Sequence, residues 1–160
     1  MRRAVAAVCL SILALVLALE FGLRLTDPLG ALRYFGDLRA VYAAYREDVS
    51  RYAMRPGSYT FSNWQAIILP DGSRRVPDTA PTDCTIVLVG DSVTFGLGVS
   101  DGDTWANLVA RELPGVQLVN AGVAGASITS VAATIEATRA DGYVYLIIDN
   151  DDAPESPGRC

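Results

Sequence analysis

The chain has 160 residues, 13 of them basic and 18 acidic, for a formal net charge of −5. Every base is Arg and no His is present, so there is no imidazole for general-base work and three Cys cannot make an ordinary zinc site. The acidic balance argues against a nucleic-acid partner, and a hydrophobic share of 51% excludes a disordered chain.

Arg2 and Arg3 precede Ala4–Leu19, which carries no charge; Glu20 interrupts before Phe21, Gly22, Leu23 and Arg24. A helix over residues 4–23 is about 30 Å long at 1.5 Å per residue, enough to cross a bilayer with Glu20 near an interface. The basic start predicts a cytoplasmic N-terminus and an extracytoplasmic remainder. The competing reading is a cleaved signal peptide, with Val16 and Ala18 as the small residues before a cut. No polar segment separates them from the apolar run, so an uncleaved anchor fits better. Cys9 lacks the context of a lipoprotein site, because the apolar run follows it. Three segments are expected: an anchor over 1–25, a helical and irregular β lead-in over 26–80, and an α/β portion over 81–160. With the anchor set aside, the length suits a single domain.

In the lead-in, Leu32, Phe35, Leu38, Val41, Tyr42 and Tyr45 recur at spacings of three and four, which predicts one face of a helix. Asp27-Pro28 marks its start, and its end is expected between Ser50 and Ala53. The stripe reads as packing, on the domain or on the membrane surface. Ser58–Phe61, Gln65–Leu69 and Arg74–Val76 are strand candidates, Pro70-Asp71-Gly72 is a turn, and 77–81 is a linker.

Beyond residue 84 strands and helices alternate. Thr85–Val89, Val116–Val119 and Tyr143–Ile148 read as strands; Asp103–Leu113 and Ile128–Ala140 read as helices, the first with Trp105, Leu108, Val109 and Leu113 on one side. Apolar runs separated by helices predict a parallel sheet covered on both faces, and ligands in such sheets bind at the carboxyl ends of the strands. Gly90-Asp91-Ser92, Asn120–Gly125 and Asp149–Asp152 fall there. Ser92 in a strand-to-helix turn exposes a hydroxyl, and its N–H is free to stabilise an oxyanion. Gly125 lets backbone approach a substrate closely. The Asn150 side-chain amide can donate to the same oxyanion. Taken singly these are a helix N-cap, a loop glycine and a turn residue. Together, at three successive strand ends, a nucleophile with converging donors describes acyl transfer. Asp149, Asp151 and Asp152 could in principle hold a hard cation; solvated loop acids describe them better, and no metal or cofactor is expected.

Residues 86–99, with Gly90-Asp91-Ser92, Phe95-Gly96 and Gly98-Val99, resemble the first block of the SGNH (GDSL-type) hydrolases. Asn120–Gly125 resembles their second block and Asn150-Asp151 their third. The resemblance covers residues 84–152 and extends to membrane-anchored members of the family. It implies a flavodoxin-like three-layer α/β/α domain and ester hydrolysis or acyl transfer of acetyl or other acyl groups on carbohydrate or lipid. Ser92 is then the nucleophile, Gly125 and Asn150 the oxyanion donors, and Asp91 a supporting residue. The alternative is a non-catalytic, degenerate domain of that type serving as a binding or scaffold protein at the membrane surface.

The chain departs from the family in two ways. No Asp-x-x-His block supplies a base, and Ile148-Asp149 stands where the third block usually has Gly. The expectation is a domain truncated after its third core strand, with little turnover of its own. The strand order that the resemblance implies is second, first, third. It would leave Tyr143–Ile148 as an unprotected edge open to self-association. A Cys84–Cys160 disulfide is not expected, because Cys84 begins a strand at the opposite end of the sheet.

Overall fold

The computed structural model describes residues 2–45 and 53–147. It is a mixed α/β chain that divides into two compact units, Met1–Leu38 and Arg39–Cys160.

The first unit is built on helix α1, Arg2–Thr26. Its Val8–Thr26 segment is long and apolar enough to cross a membrane. The two charges within it, Glu20 and Arg24, pair at 2.7 Å one turn apart. Asp27 ends the helix at φ 39° and starts the next. Its N–H still donates to the Leu23 carbonyl at 2.9 Å. Its carboxylate accepts from the N–H groups of Leu32 and Arg33, each at 3.1 Å, in the first turn of α2, Ala31–Ala43. Those bonds, Leu32 first, hold the Asp27 carboxyl below the usual carboxylate range.

Helix α2 stops well short of residue 50. After Ala43 the chain turns: Arg55 N–H donates to the Ala44 carbonyl at 2.9 Å, and Tyr45 bridges Met54 antiparallel. The reason lies in burial. Val41 is fully buried with Met54, Trp64, Ala66, Ile68, Phe95 and Ala124, and Tyr45 packs on that cluster, which a continuing helix would carry it away from. The predicted stripe is therefore split. Val41 is core, whereas Leu32, Phe35 and Tyr42 are exposed.

Strands β1, Gly57–Thr60, and β2, Gln65–Ile68, form an antiparallel hairpin. The outer edge of β2 is closed without a further strand. The Gln65 and Ile67 N–H groups donate to Ser100 Oγ at 3.2 Å and Asp101 Oδ2 at 3.0 Å. Their carbonyls accept from Arg74 Nη2 and from Arg75 N–H. Leu69 N–H donates to the Ser73 carbonyl. Residues 74–76 are accordingly not a strand; only Arg74 makes isolated bridges, to Ile68 and to Asn120.

The main sheet is three parallel strands in the order β4-β3-β5, namely β3, Thr85–Gly90, between β4, Gln117–Asn120, and β5, Gly142–Leu146. After β3 come a short helix α3, Ser92–Phe95, a 3-10 turn at Asp101–Asp103, and helix α4, Trp105–Glu112. Helix α5, Ile128–Ala137, precedes β5. Successive β3 side chains point to opposite faces. Leu88 joins Ala106, Ala110 and Leu118 on the α4 side, and Val87 and Val89 join Val131 on the α5 side. The buried face of α4 matches the expected one in part, since Trp105 and Val109 pack against the Leu88 cluster. Leu108 and Leu113 are exposed, and the small Ala106 and Ala110 lie inward, where a helix can approach the sheet more closely than on Leu. Helix α4 also starts later than expected, because the Thr104 hydroxyl caps it by accepting from Asn107 N–H.

Arg74 joins these parts. Its side chain is fully buried and its nitrogens donate five hydrogen bonds. Nε reaches Asp101 Oδ1 at 2.9 Å; Nη1 reaches the Phe95 and Gly96 carbonyls at 2.8 and 2.7 Å; Nη2 reaches those of Gln65 and Val99 at 3.2 and 2.5 Å. The guanidinium carbon lies 4.9 Å from the Phe95 ring centre and 5.5 Å from that of Trp64. Burial lowers its pKa from the usual value, and Asp101 opposes that shift. Removing the side chain strands one carboxylate and four carbonyls, and orphaning a buried partner of an ion pair costs about 3–5 kcal/mol. Arg74→Met is expected to lose that much in urea unfolding followed by Trp64 fluorescence. Arg74→Lys, which keeps the charge but not the fork, should recover less than half of the loss.

Candidate active site

Ser92 stands directly beyond β3, the central strand, as the first residue of α3. Asp91 is the cap of that helix and is buried. Its Oδ1 accepts from Val93 N–H at 2.9 Å and its Oδ2 from the Ser92 hydroxyl at 3.2 Å. The carboxylate thus fixes the turn and orients the hydroxyl. Ser92 is itself half-buried. Among the described residues, neither the Ser92 N–H nor the Gly125 N–H donates to any acceptor.

The second loop, following β4, is laced onto the first. Asn120 is fully buried at the end of β4. Its Nδ2 donates to the Thr94 carbonyl at 2.9 Å, and its Oδ1 accepts from Gly122 N–H at 3.0 Å. Val123 N–H donates to the Gly90 carbonyl at 3.0 Å, and Ala121 N–H to that of Leu88 at 2.9 Å. Gly122 makes the approach possible, since a Cβ there would stand 2.4 Å from Phe95 N and 2.6 Å from the Thr94 carbonyl carbon. The loops carrying Ser92 and Gly125 are therefore held as one body by backbone and amide bonds. Asn150 lies outside the described residues, as do Ile148, Asp149, Asp151, Asp152 and Cys160.

Two residues taken for packing belong to this surface. The Tyr45 hydroxyl donates to the Ala124 carbonyl at 2.6 Å. Burial first, and then the neighbouring Tyr42, push its pKa above the usual phenol range, so it stays a donor. Tyr42 packs edge-on against Tyr45, with ring centres 5.4 Å apart. Gly125 has φ 81°, and a Cβ on it would stand 2.9 Å from the Tyr42 hydroxyl. The Ala124-Gly125 turn is thus pinned by one phenol and overhung by another. The signal in the sequence was two tyrosines three residues apart, which helical spacing alone reads as core. Trp105 is a further support, its indole N–H donating to the Val93 carbonyl at 3.1 Å.

Among the described residues, a cavity beside the two loops lies between β3 and α5, lined by Val89, Gly90, Val123, Ala126, Val131 and Thr134. Ser92 is not in its wall. Comparison with known protein families, with characterised proteins and with solved structures returns no match to this chain.

Gly122→Ala must push backbone against backbone. It is expected to destabilise by about 1–3 kcal/mol, as overpacking of a tight site does. Tyr45→Phe, which leaves the Ala124 carbonyl without its donor, should cost about 1 kcal/mol. Urea unfolding of both variants, read by tryptophan fluorescence, checks the order.

Proposed function

We propose that residues 84–152 are the nucleophile-bearing part of an SGNH-like serine esterase or acyltransferase with a flavodoxin-like arrangement, held at a membrane by α1. The observation that supports this reading most is the pairing of the Ser92 turn with the Gly125 loop at the carboxyl ends of adjacent parallel strands, laced through Asn120 and Gly122. Attack by Ser92 Oγ on an ester carbonyl would place negative charge on the carbonyl oxygen, and the N–H groups of Ser92 and Gly125 are unpaired among the described residues and available to receive it. Asn150 completes that set in the proposal. The substrate class is an acyl ester of carbohydrate or lipid.

What residues 1–160 do not contain is an imidazole. Asp91 accepts from Ser92, yet both of its oxygens are engaged in holding the turn, so it orients the hydroxyl and does not drive its deprotonation. The base comes from outside these residues. Without it, a triad-type site keeps about 10³–10⁴-fold over water. The lack of an imidazole also supports a second reading, a non-catalytic site that binds the acylated group without turning it over.

Chemical rescue separates the two. The purified chain in detergent micelles should hydrolyse p-nitrophenyl acetate near background. Added imidazole should then produce a saturating increment, with acetylated Ser92 detectable by mass spectrometry. The same concentrations should give no increment with Ser92→Ala, which subtracts the reaction of free imidazole. Equal rates for both proteins at every imidazole concentration would leave the binding reading in place of the enzyme.

The orientation set by Arg2 and Arg3 puts the Ser92 site outside the cytoplasm. Cys84 is exposed and free. In a chain with Cys9→Ser and Cys160→Ser, a membrane-impermeant maleimide added to intact cells should label it. Labelling only after the cells are opened would reverse the orientation.

A further inference from the structure

The second helix begins where the first one ends, and large apolar side chains are exposed at its start. Only Asp27, Pro28, Leu29 and Gly30 separate α1 from α2. Four residues reach at most about 14 Å when fully extended. Here they are not extended, because Gly30 N–H donates back to the Asp27 carbonyl at 2.9 Å and Tyr34 N–H to that of Gly30 at 2.9 Å. The polar layer on each side of a hydrocarbon core is about 5–8 Å deep. The start of α2 therefore lies in or against the headgroups whenever α1 spans.

The joint is also fixed. Asp27 bonds backward through its N–H to Leu23 and forward through its carboxylate to Leu32, Arg33 and the Arg33 side chain. The direction in which α2 departs is thus set by a single residue that belongs to both helix ends.

At that depth the exposed large apolar residues are Leu29, Leu32, Tyr34 and Phe35, at 92, 50, 52 and 65% of their full area, and the exposed Arg33 among them suits a headgroup layer. At about 100° per residue, Leu32 and Phe35 lie within about 60° of each other, and Asp37 points some 140–160° away from them. Scattered single apolar residues on a surface need no account; four of them within seven positions, beginning three residues after a span, do. An aromatic and aliphatic edge beside a span is the composition of an interfacial segment.

We infer that the first two turns of α2 lie in the headgroup layer, with Leu29, Leu32 and Phe35 inserted at the acyl boundary and Asp37 directed to water. The partner is the lipid surface itself. The inference rests on α1 spanning a membrane, and its test is chosen to report that separately.

The test uses the full chain with Cys9, Cys84 and Cys160 replaced by Ser, reconstituted in vesicles of phosphatidylcholine with a minor fraction of phosphatidylglycerol. Nitroxide labels are placed one at a time through Leu15→Cys, Leu32→Cys, Phe35→Cys and Asp37→Cys. The relative accessibility to oxygen, which concentrates in lipid, and to a water-soluble nickel chelate is then measured. The expected result is an oxygen-to-nickel ratio severalfold higher at 32 and 35 than at 37, with 15 higher still. A lipid value at 15 with water values at 32 and 35 would overturn the inference and leave the anchor standing. Protection of 32 and 35 from both reagents would mean that protein covers them, another part of the chain or a second copy, and would also overturn it. A water value at 15 would remove the anchor and the inference together.

Discussion

A guanidinium buried without solvent is stable only if every donor finds an acceptor, and that requirement organises the second unit of this chain. Arg74 reaches the loop after α3 through the carbonyls of Phe95, Gly96 and Val99, the hairpin through that of Gln65, and the 3-10 turn through the Asp101 carboxylate. Its own N–H donates to the Asn120 carbonyl, at the end of β4. One residue thus fixes the height at which the hairpin meets the sheet and the path of the chain beyond Ser92. Isolated buried ion pairs contribute little to net stability because desolvation cancels their attraction. The value of this one lies in specificity, since each of its acceptors must be in place at once.

The architecture of residues 84–147 was readable because two periodicities agreed. Apolar runs with β-branched residues, alternating with helical stretches, left a covered parallel sheet as the consistent arrangement; the strand order came from the resemblance and not from periodicity, and the observed order agrees with it. Element edges were less readable. The stripe ending in Val41, Tyr42 and Tyr45 carried helical spacing past Ala43, but the pull of the Met54–Trp64–Phe95 cluster on Tyr45 won over local pattern. On α4 the large residues were half a guide: Trp105 and Val109 pack inward, but Leu108 and Leu113 do not, because closeness to the sheet selects Ala over Leu. Arg74 was invisible for a different reason. Nothing in a single sequence distinguishes an Arg that will be buried from one that will be solvated, since four of its five acceptors are main-chain carbonyls that any residue could supply.

The candidate site shows the same division. Ser92 and Gly125 were accessible to sequence reasoning because strand ends and Gly-rich loops announce themselves. What holds them together was not. Asn120 was read as the start of a loop, yet it is the buried amide that joins that loop to the Thr94 carbonyl and to Gly122. Tyr42 and Tyr45 lie some eighty positions away in the chain from the turn they touch. Contacts at that separation have no local signature.

The closed outer edge of β2 has a consequence for how the protein meets others of its kind. A two-stranded hairpin ordinarily offers a row of unpaired amides to any passing strand, the usual opening for aggregation. Here the Gln65 and Ile67 amides are spent on Ser100 and Asp101, and their carbonyls on Arg74 and Arg75. A copy of the chain arriving at that edge would find no vacancy, and would have to displace a buried guanidinium to make one. Strand addition to this molecule must therefore use another edge, the outer side of β1 included, where Ser58 and Thr60 are exposed.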